Sequence, residues 1–483
     1  MERRPNPVGA RVSKAYARRM RYAVLKLLAC MLLGSSLSFA GSPPLTGDWY
    51  GALDVGTNVL HLKLTIKQET GGSISAVLVS LDQGGTPIPV STITVANDSL
   101  YLAIAMAGAS FDGAIVGTGD ASEIRGHWSQ GGMQLPLTFT RTGKPPEPKR
   151  PQVPTKPYPY REENVSYENK AAKVSFAATL TVPAGSGPFP AVLLITGSGA
   201  EDRDEAVFGH RPFLIIADYL TRHGIAVLRA DDRGVGGSTG SIVTSTTKEL
   251  AQDALAGVAF LQTRSEIDPK HIGLVGHSEG ANVASIAATQ SSDVRFIVML
   301  GGMGLVGEQV LYRQGWRQME QSGAPKEMVD QERALQEGIF AAVKAETDST
   351  RLANRLREVG KKAGKDLGDA EIASLVQQVG SPWFRYFLAF DPAPVLKDVR
   401  CPVLALYGEK DTQATPKENA PAVEAALKSG GNKDATVRVL PGLNHLFQTA
   451  STGAVSEYGQ IEETFAPAAL EAIETWIARH STH

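Results

Sequence analysis

Cysteine is almost missing from this sequence: Cys30 and Cys401 are the only two in 483 residues. Cleavage of the N-terminal leader described below would leave one thiol, so no intrachain disulfide can form even in an oxidising compartment. A Cys/His zinc cluster is excluded for the same reason. An excess of one charge is missing too. Lys and Arg number 48, Asp and Glu 50, and the formal net charge is −2, so neither nucleic acid nor an anionic membrane surface is indicated as a partner. The apolar run near the N-terminus, Leu27 to Leu33, is too short to span a bilayer as a helix. What is present is globular composition, 42 % hydrophobic and 20 % charged, enough to bury a large core. A chain this long exceeds one typical domain, so two folded units with a connector are expected.

Residues 1–40 do not read as fold. Arg18, Arg19, Arg21 and Lys26 make a basic start, the short apolar run follows, and Ser38-Phe39-Ala40 offers a small-x-small cleavage site. This is the pattern of a secretory signal, and the expected location is periplasmic or secreted. Met20 is an alternative start. Cys30 lies inside the apolar run rather than at its end, which argues against a lipid anchor.

Residues 41–143 have a period-two texture, as in Leu60-His-Leu-Lys-Leu-Thr-Ile66, with turn signals at Gly71-Gly72, Asp82 to Gly85 and Gly131-Gly132. Short alternating runs at such spacing predict a small antiparallel all-β domain. Residues 144–160 are rich in proline, which forbids helix and central strand and favours an extended spacer. From 161 to 483 the texture changes. Apolar runs at Ala191–Ile195, Ile225–Ala230, His271–Val275, Phe296–Leu300 and Val403–Tyr407 alternate with helical patterns such as Thr247–Arg264. That alternation predicts a mostly parallel sheet with helices on both faces. Residues 304–396 contain no strand run and read as a helical cap inserted into that sheet.

Gly276-His-Ser-Glu-Gly280 matches G-x-S-x-G, and so does Gly236-Gly-Ser-Thr-Gly240. Chance gives roughly 0.2 such matches in a chain of this length, so context has to decide. Ser278 follows a strand and precedes a helix-forming stretch, the strand–turn–helix elbow that pushes a nucleophilic hydroxyl out at a sheet edge. Ser238 follows a glycine-rich loop and is set aside. A serine hydroxyl needs a base that titrates near neutral pH. Downstream of Ser278 only His445, His480 and His483 exist. The last two sit at the chain end, so His445 is the candidate base. His445 follows the strand Thr436–Leu440, and the strand before that, Val403–Tyr407, runs into Gly408-Glu-Lys-Asp411, which makes Asp411 the candidate orienter and Glu409 the alternative. The tetrahedral intermediate requires two N–H donors. The backbone N–H of Glu279 is one candidate. Ser198, with Gly199 next, in the loop after Ala191–Ile195 is the other.

Taken in order, Thr196-Gly-Ser-Gly199, Asp202-Arg-Asp204, Asp231-Asp-Arg-Gly-Val-Gly-Gly-Ser238, the G-H-S-E-G elbow, Gly408-Glu-Lys-Asp411 and Asn444-His445 resemble the α/β-hydrolases. The likeness is greatest to bacterial exported esterases with this elbow and an N-terminal β-domain. Thr196 stands where many relatives carry histidine. The resemblance implies the α/β-hydrolase fold and hydrolysis of small carboxylic esters through an acyl-enzyme, with no metal and no organic cofactor. It leaves Asp231, Asp232 and Arg233 structural, and the stretch Trp383 to Phe387 either as a wall for the acyl group or as ordinary packing of the cap on the core. A peptidase or a thioesterase on the same fold is the alternative, Glu201, Asp202 and Asp204 being available near the oxyanion loop for a substrate amino group. A non-catalytic envelope-binding protein is the reading from another class. The β-domain is the candidate for an envelope or homodimer contact, with Trp49, Tyr50 and Trp128 either in its core or stacking on a sugar.

Overall fold

The computed structural model describes residues 45–481, apart from 55–58, 82–86, 97, 105–107, 131–132, 143–148, 322 and 366. The expected leader, residues 1–40, and Cys30 within it lie outside the described residues, as do the expected turns at 82–85 and 131–132.

The N-terminal strands are β1 (Gly47–Asp54), β2 (Val59–Gln68), β3 (Ile74–Ser80), β4 (Ile88–Pro89), β5 (Thr92–Ala96), β6 (Ser99–Ile104), β7 (Ala109–Val116), β8 (Glu123–Gln130) and β9 (Met133–Thr140). They form one sheet in the order β4-β3-β2-β1-β9-β8-β7-β6-β5, with every pairing antiparallel. Alternation places Leu62, Leu64 and Ile66 of β2 and Leu100, Leu102 and Ile104 of β6 on the buried face. Trp49 is paired with Leu64 across β1 and β2. Trp49 and Trp128 are 1 % and 5 % exposed, so both belong to this core and neither is free to stack on a ligand.

The second sheet contains β10 (Arg161–Asn169), β11 (Val174–Val182), β12 (Phe189–Ile195), β13 (Ala226–Ala230), β14 (Ile267–His277), β15 (Ile297–Leu300), β16 (Val403–Gly408) and β17 (Ala435–Leu440). Its order is β10-β11-β13-β12-β14-β15-β16-β17. The β10–β11 hairpin and the β11–β13 pairing are antiparallel; every later pairing is parallel. Parallel neighbours require crossovers, and these are α1 (Pro212–Arg222), α2 (Thr247–Gln262), α3 (Glu279–Gln290) and, further on, α10 (Pro416–Ser429); α11 (Pro467–His480) follows the last strand. Thr246 and Glu249 close a capping box at the start of α2.

The strands sort their side chains into two cores. Val403, Ala405 and Tyr407 of β16 face the layer of α2, α3 and α10, whereas Leu404 and Leu406 face the layer of α1 and α11. Between β15 and β16 lie six helices: α4 (Gly307–Gln321), α5 (Lys326–Ala345), α6 (Ser349–Lys362), α7 (Asp369–Val379), α8 (Pro382–Ala389) and α9 (Pro392–Asp398). Four of them, α5 to α8, share a small apolar cluster around Phe340, Leu352, Leu356, Ile372 and Phe384. Residues 149–160, in the second half of the proline-rich stretch, are tied to the second sheet's surroundings. Arg150 donates to the carbonyls of Phe208, Gly209, Gly459 and Ile461, and Val153 packs on the α1 and α11 core. No helix among the described residues is long and apolar enough to cross a membrane.

Candidate active site

The second sheet presents its candidate residues where consecutive parallel strands end, the edge at which ligands bind in open α/β sheets. Ser278 follows β14 directly and stands at φ 52°, ψ −118°, immediately before α3. A positive φ is costly for a residue with a side chain. Its surroundings enforce it. The Ser278 N–H donates to the Leu300 carbonyl at 2.8 Å. Strand and helix can then pass only because two positions lack a Cβ. One added at Gly276 would lie 2.1 Å from the Gly280 carbonyl oxygen, and one at Gly280 would lie 2.2 Å from that of Ile195. Ser238, in the competing match, is a buried turn residue whose hydroxyl donates to the Asp231 carbonyl and accepts the Ala177 N–H.

Asp411 and His445 follow β16 and β17, and their side chains meet: His445 Nδ1 lies 2.7 Å from Asp411 Oδ2. Both side chains are buried, at 4 % and 0 % exposure. The other Asp411 oxygen, Oδ1, accepts the N–H groups of Gln413 and Ala414, both at 2.8 Å. Asp411 is not the cap of α10, whose N-cap is Thr415. Glu409 turns away and accepts the Gly442 N–H.

Glu279 is the first residue of α3, where backbone N–H groups have no partner within the helix. Ser198 and Gly199 form an exposed loop after β12, with Gly199 at φ 126°. Ser198 Oγ donates to Glu279 Oε2 at 2.9 Å. That carboxylate also accepts from Thr247 and from Trp383 of α8. Burial raises the Glu279 carboxyl above its ordinary value, and bonds from Thr247, Ser198 and Trp383 draw it part of the way back. Burial, and then the Glu279 charge, raise the Tyr386 hydroxyl above its ordinary value.

Behind the loop lies a group that motif reading does not reveal. His277, the residue before the nucleophile candidate, places Nδ1 2.8 Å from Glu205 Oε1 and Nε2 3.0 Å from the His445 carbonyl. A carbonyl only accepts, so Nε2 carries a proton. Burial pulls the His277 imidazole down, yet the Glu205 charge and hydrogen bond outweigh it and leave it above its ordinary value. Glu205 also accepts the Gly197 N–H at 2.9 Å, so one carboxylate supports the 196–199 loop and, through His277, the loop that carries His445. Glu201 is raised well above the carboxylate range, first by burial and then by the charges of Glu205 and Asp232. Burial pushes Asp232 up to about 7 against the bonds it accepts from the Glu201 N–H and the Thr196 hydroxyl. Asp231 pairs with Arg203, and Arg233 with Asp253, which fixes the 231–233 loop. Asp202 accepts two loop N–H groups, and Asp204 bridges Arg211 and Arg229. Among the described residues no group of His, Cys, Asp or Glu is arranged to hold a metal ion.

The model of the alpha/beta hydrolase family matches residues 192–457, more than half of the chain. The chain belongs to the α/β-hydrolase family. This α/β-hydrolase is 30 % identical over 286 residues to the esterase EstD of Thermotoga maritima, a match taking in 58 % of this chain and 60 % of that protein. It is 32 % identical over 146 residues to the esterase FrsA of Yersinia pestis, covering 30 % of this chain and 32 % of the relative. Of solved structures, a hypothetical protein of Pseudomonas aeruginosa aligns with 68 % of this chain and 96 % of its own, at 16 % identity and a TM-score of 0.44.

Proposed function

We propose that this α/β-hydrolase is an exported serine esterase that cleaves small carboxylic esters through an acyl-enzyme on Ser278. The observation that carries the reading is the buried 2.7 Å pair of His445 and Asp411, at the same sheet edge as a serine held at positive φ. The names of the relatives, both esterases, support the same chemistry. The basic and apolar pattern before Gly41 supports export.

In this mechanism His445 Nε2 takes the Ser278 proton as Oγ attacks the ester carbonyl carbon. Asp411 holds Nδ1–H and so fixes the tautomer that leaves Nε2 free to accept. The oxyanion receives the backbone N–H of Glu279 and that of Ser198, with Gly199 next. Collapse breaks the bond to the alkoxy oxygen, and the alcohol leaves with the proton from His445. Water, deprotonated by His445, then attacks the acyl-enzyme; the acid departs and Ser278 recovers its proton. Trp383 and Tyr386 of α8 wall the acyl group, and the inserted helices act as a cap.

The test is hydrolysis of p-nitrophenyl acetate, butyrate and decanoate by the chain from Gly41, beside aminoacyl p-nitroanilides and an acyl thioester. Ester turnover is expected to fall by about 10⁶-fold in kcat in Ser278→Ala. Faster turnover of the anilides or the thioester would replace the ester reading by the peptidase or thioesterase one. No turnover, with no fluorophosphonate labelling of Ser278, would leave a binding protein on a hydrolase scaffold.

A further inference from the structure

The carboxylate of Glu279 joins three segments far apart in sequence. Ser198 Oγ donates to Oε2 at 2.9 Å, Thr247 Oγ1 donates to Oε1 at 2.6 Å, and Trp383 Nε1 lies 3.1 and 3.0 Å from the two oxygens. Ser198 belongs to the loop of candidate oxyanion donors, Thr247 opens α2, and Trp383 sits in the first turn of α8. Glu279 itself contributes a candidate oxyanion donor through its own N–H. Its side chain is 2 % exposed with its residue, and a buried carboxylate is tolerated only where donors surround it.

Two chemical facts narrow its role. An indole N–H is a donor only, so Trp383 keeps a partner only while α8 lies against α3. A carboxylate beside an oxyanion hole opposes the charge that develops there, so any service it gives the reaction is geometric. We propose that Glu279 is a positioning residue that fastens α8 to the 196–199 loop, so that the oxyanion donors are held in place only while the inserted helix is seated. The inference rests on the esterase reading of Ser278. It assigns the inserted helices a part in assembling the site as well as in covering it.

The experiment is a set of coupled substitutions read with p-nitrophenyl acetate. Trp383→Phe and Ser198→Ala are made singly and together, in the native background and with Glu279→Met, which keeps the length of the side chain without its carboxylate. kcat, KM, the fluorophosphonate labelling rate of Ser278 and the unfolding temperature are measured for each. Each single change is expected to lower kcat by roughly 10- to 150-fold, the range of one hydrogen bond to a charged group, with a smaller change in KM. The double change should cost no more than the larger single one, and this coupling should vanish with Glu279→Met. Losses that multiply would overturn the proposal. So would a Trp383→Phe effect confined to KM, as expected of a pocket wall that touches only the acyl group. If Trp383→Phe does not fold, the Ser198→Ala and Glu279→Met pair reads the same coupling by the same criterion. The two readings fail differently: a wild-type chain that neither turns over nor labels removes the esterase reading, whereas an active wild type with multiplying losses removes only this one.

Discussion

Asp411 divides its two oxygens between two tasks. Oδ1 holds the turn through the N–H groups of Gln413 and Ala414, and Oδ2 takes His445 Nδ1. Asp411→Asn separates them. The amide oxygen can keep the turn, and the NH₂ then faces His445 Nδ1, which must become an acceptor. The ring proton moves to Nε2, and the base can no longer receive the Ser278 proton. On the esterase reading, kcat should fall about 10⁴-fold while the unfolding temperature changes little. Steady-state kinetics beside a thermal melt checks this, and a loss under tenfold would remove Asp411 from the role of orienter.

At the scale of elements, the elbow is a packing problem between β12, β14 and α3. Gly280 sits so close to the end of β12 that a methyl group there would overlap the Ile195 carbonyl oxygen at 2.2 Å. Backbone cannot give way as a flexible side chain does. Gly280→Ala is therefore expected to cost about 3 kcal/mol or more of stability, and to displace Ser278 with the helix. Urea unfolding gives the stability and fluorophosphonate labelling the geometry; native stability and native labelling together would show that the elbow tolerates a side chain.

For the whole molecule, buried carboxylates set a dependence on pH that the near-neutral net charge does not suggest. Asp232 is lifted by burial from an ordinary value of 3.8 to about 7. A carboxyl whose folded pKa is raised stabilises the fold fully below its unfolded pKa, and that contribution is lost as pH rises through the folded one. The window is thus from about pH 4 to about pH 7, and the effect is on the order of a few kcal/mol. Asp232→Asn keeps the shape and cannot ionise. Its unfolding temperature relative to wild type should rise between about pH 4 and about pH 7 and level off above that. A constant difference across that range would mean that Asp232 does not titrate with folding.

The sequence by itself determined the order of the candidate site residues. Apolar runs of strand length, glycines on both sides of Ser278, and the scarcity of histidines after it are local properties, and they located Ser278, Asp411 and His445 at strand ends. Cys401 is the one cysteine among the described residues and is a free thiol, and the six inserted helices were legible as a region without strand runs. The β10–β11 hairpin was not legible, because Arg161–Asn169 is a polar edge strand without a clean alternation. Only the tertiary structure decided which buried charges meet. Glu205 reaches His277 across 72 residues, and Trp383 reaches Glu279 across 104. A side chain's partner at such separation depends on how strands and helices stack, and no spacing within the chain encodes it. The same holds for Trp49 and Trp128, whose burial turned on the register of the first sheet. Local periodicity specifies elements and the residues at their ends. The packing of those elements specifies which polar groups lose water together, and so which protons they share.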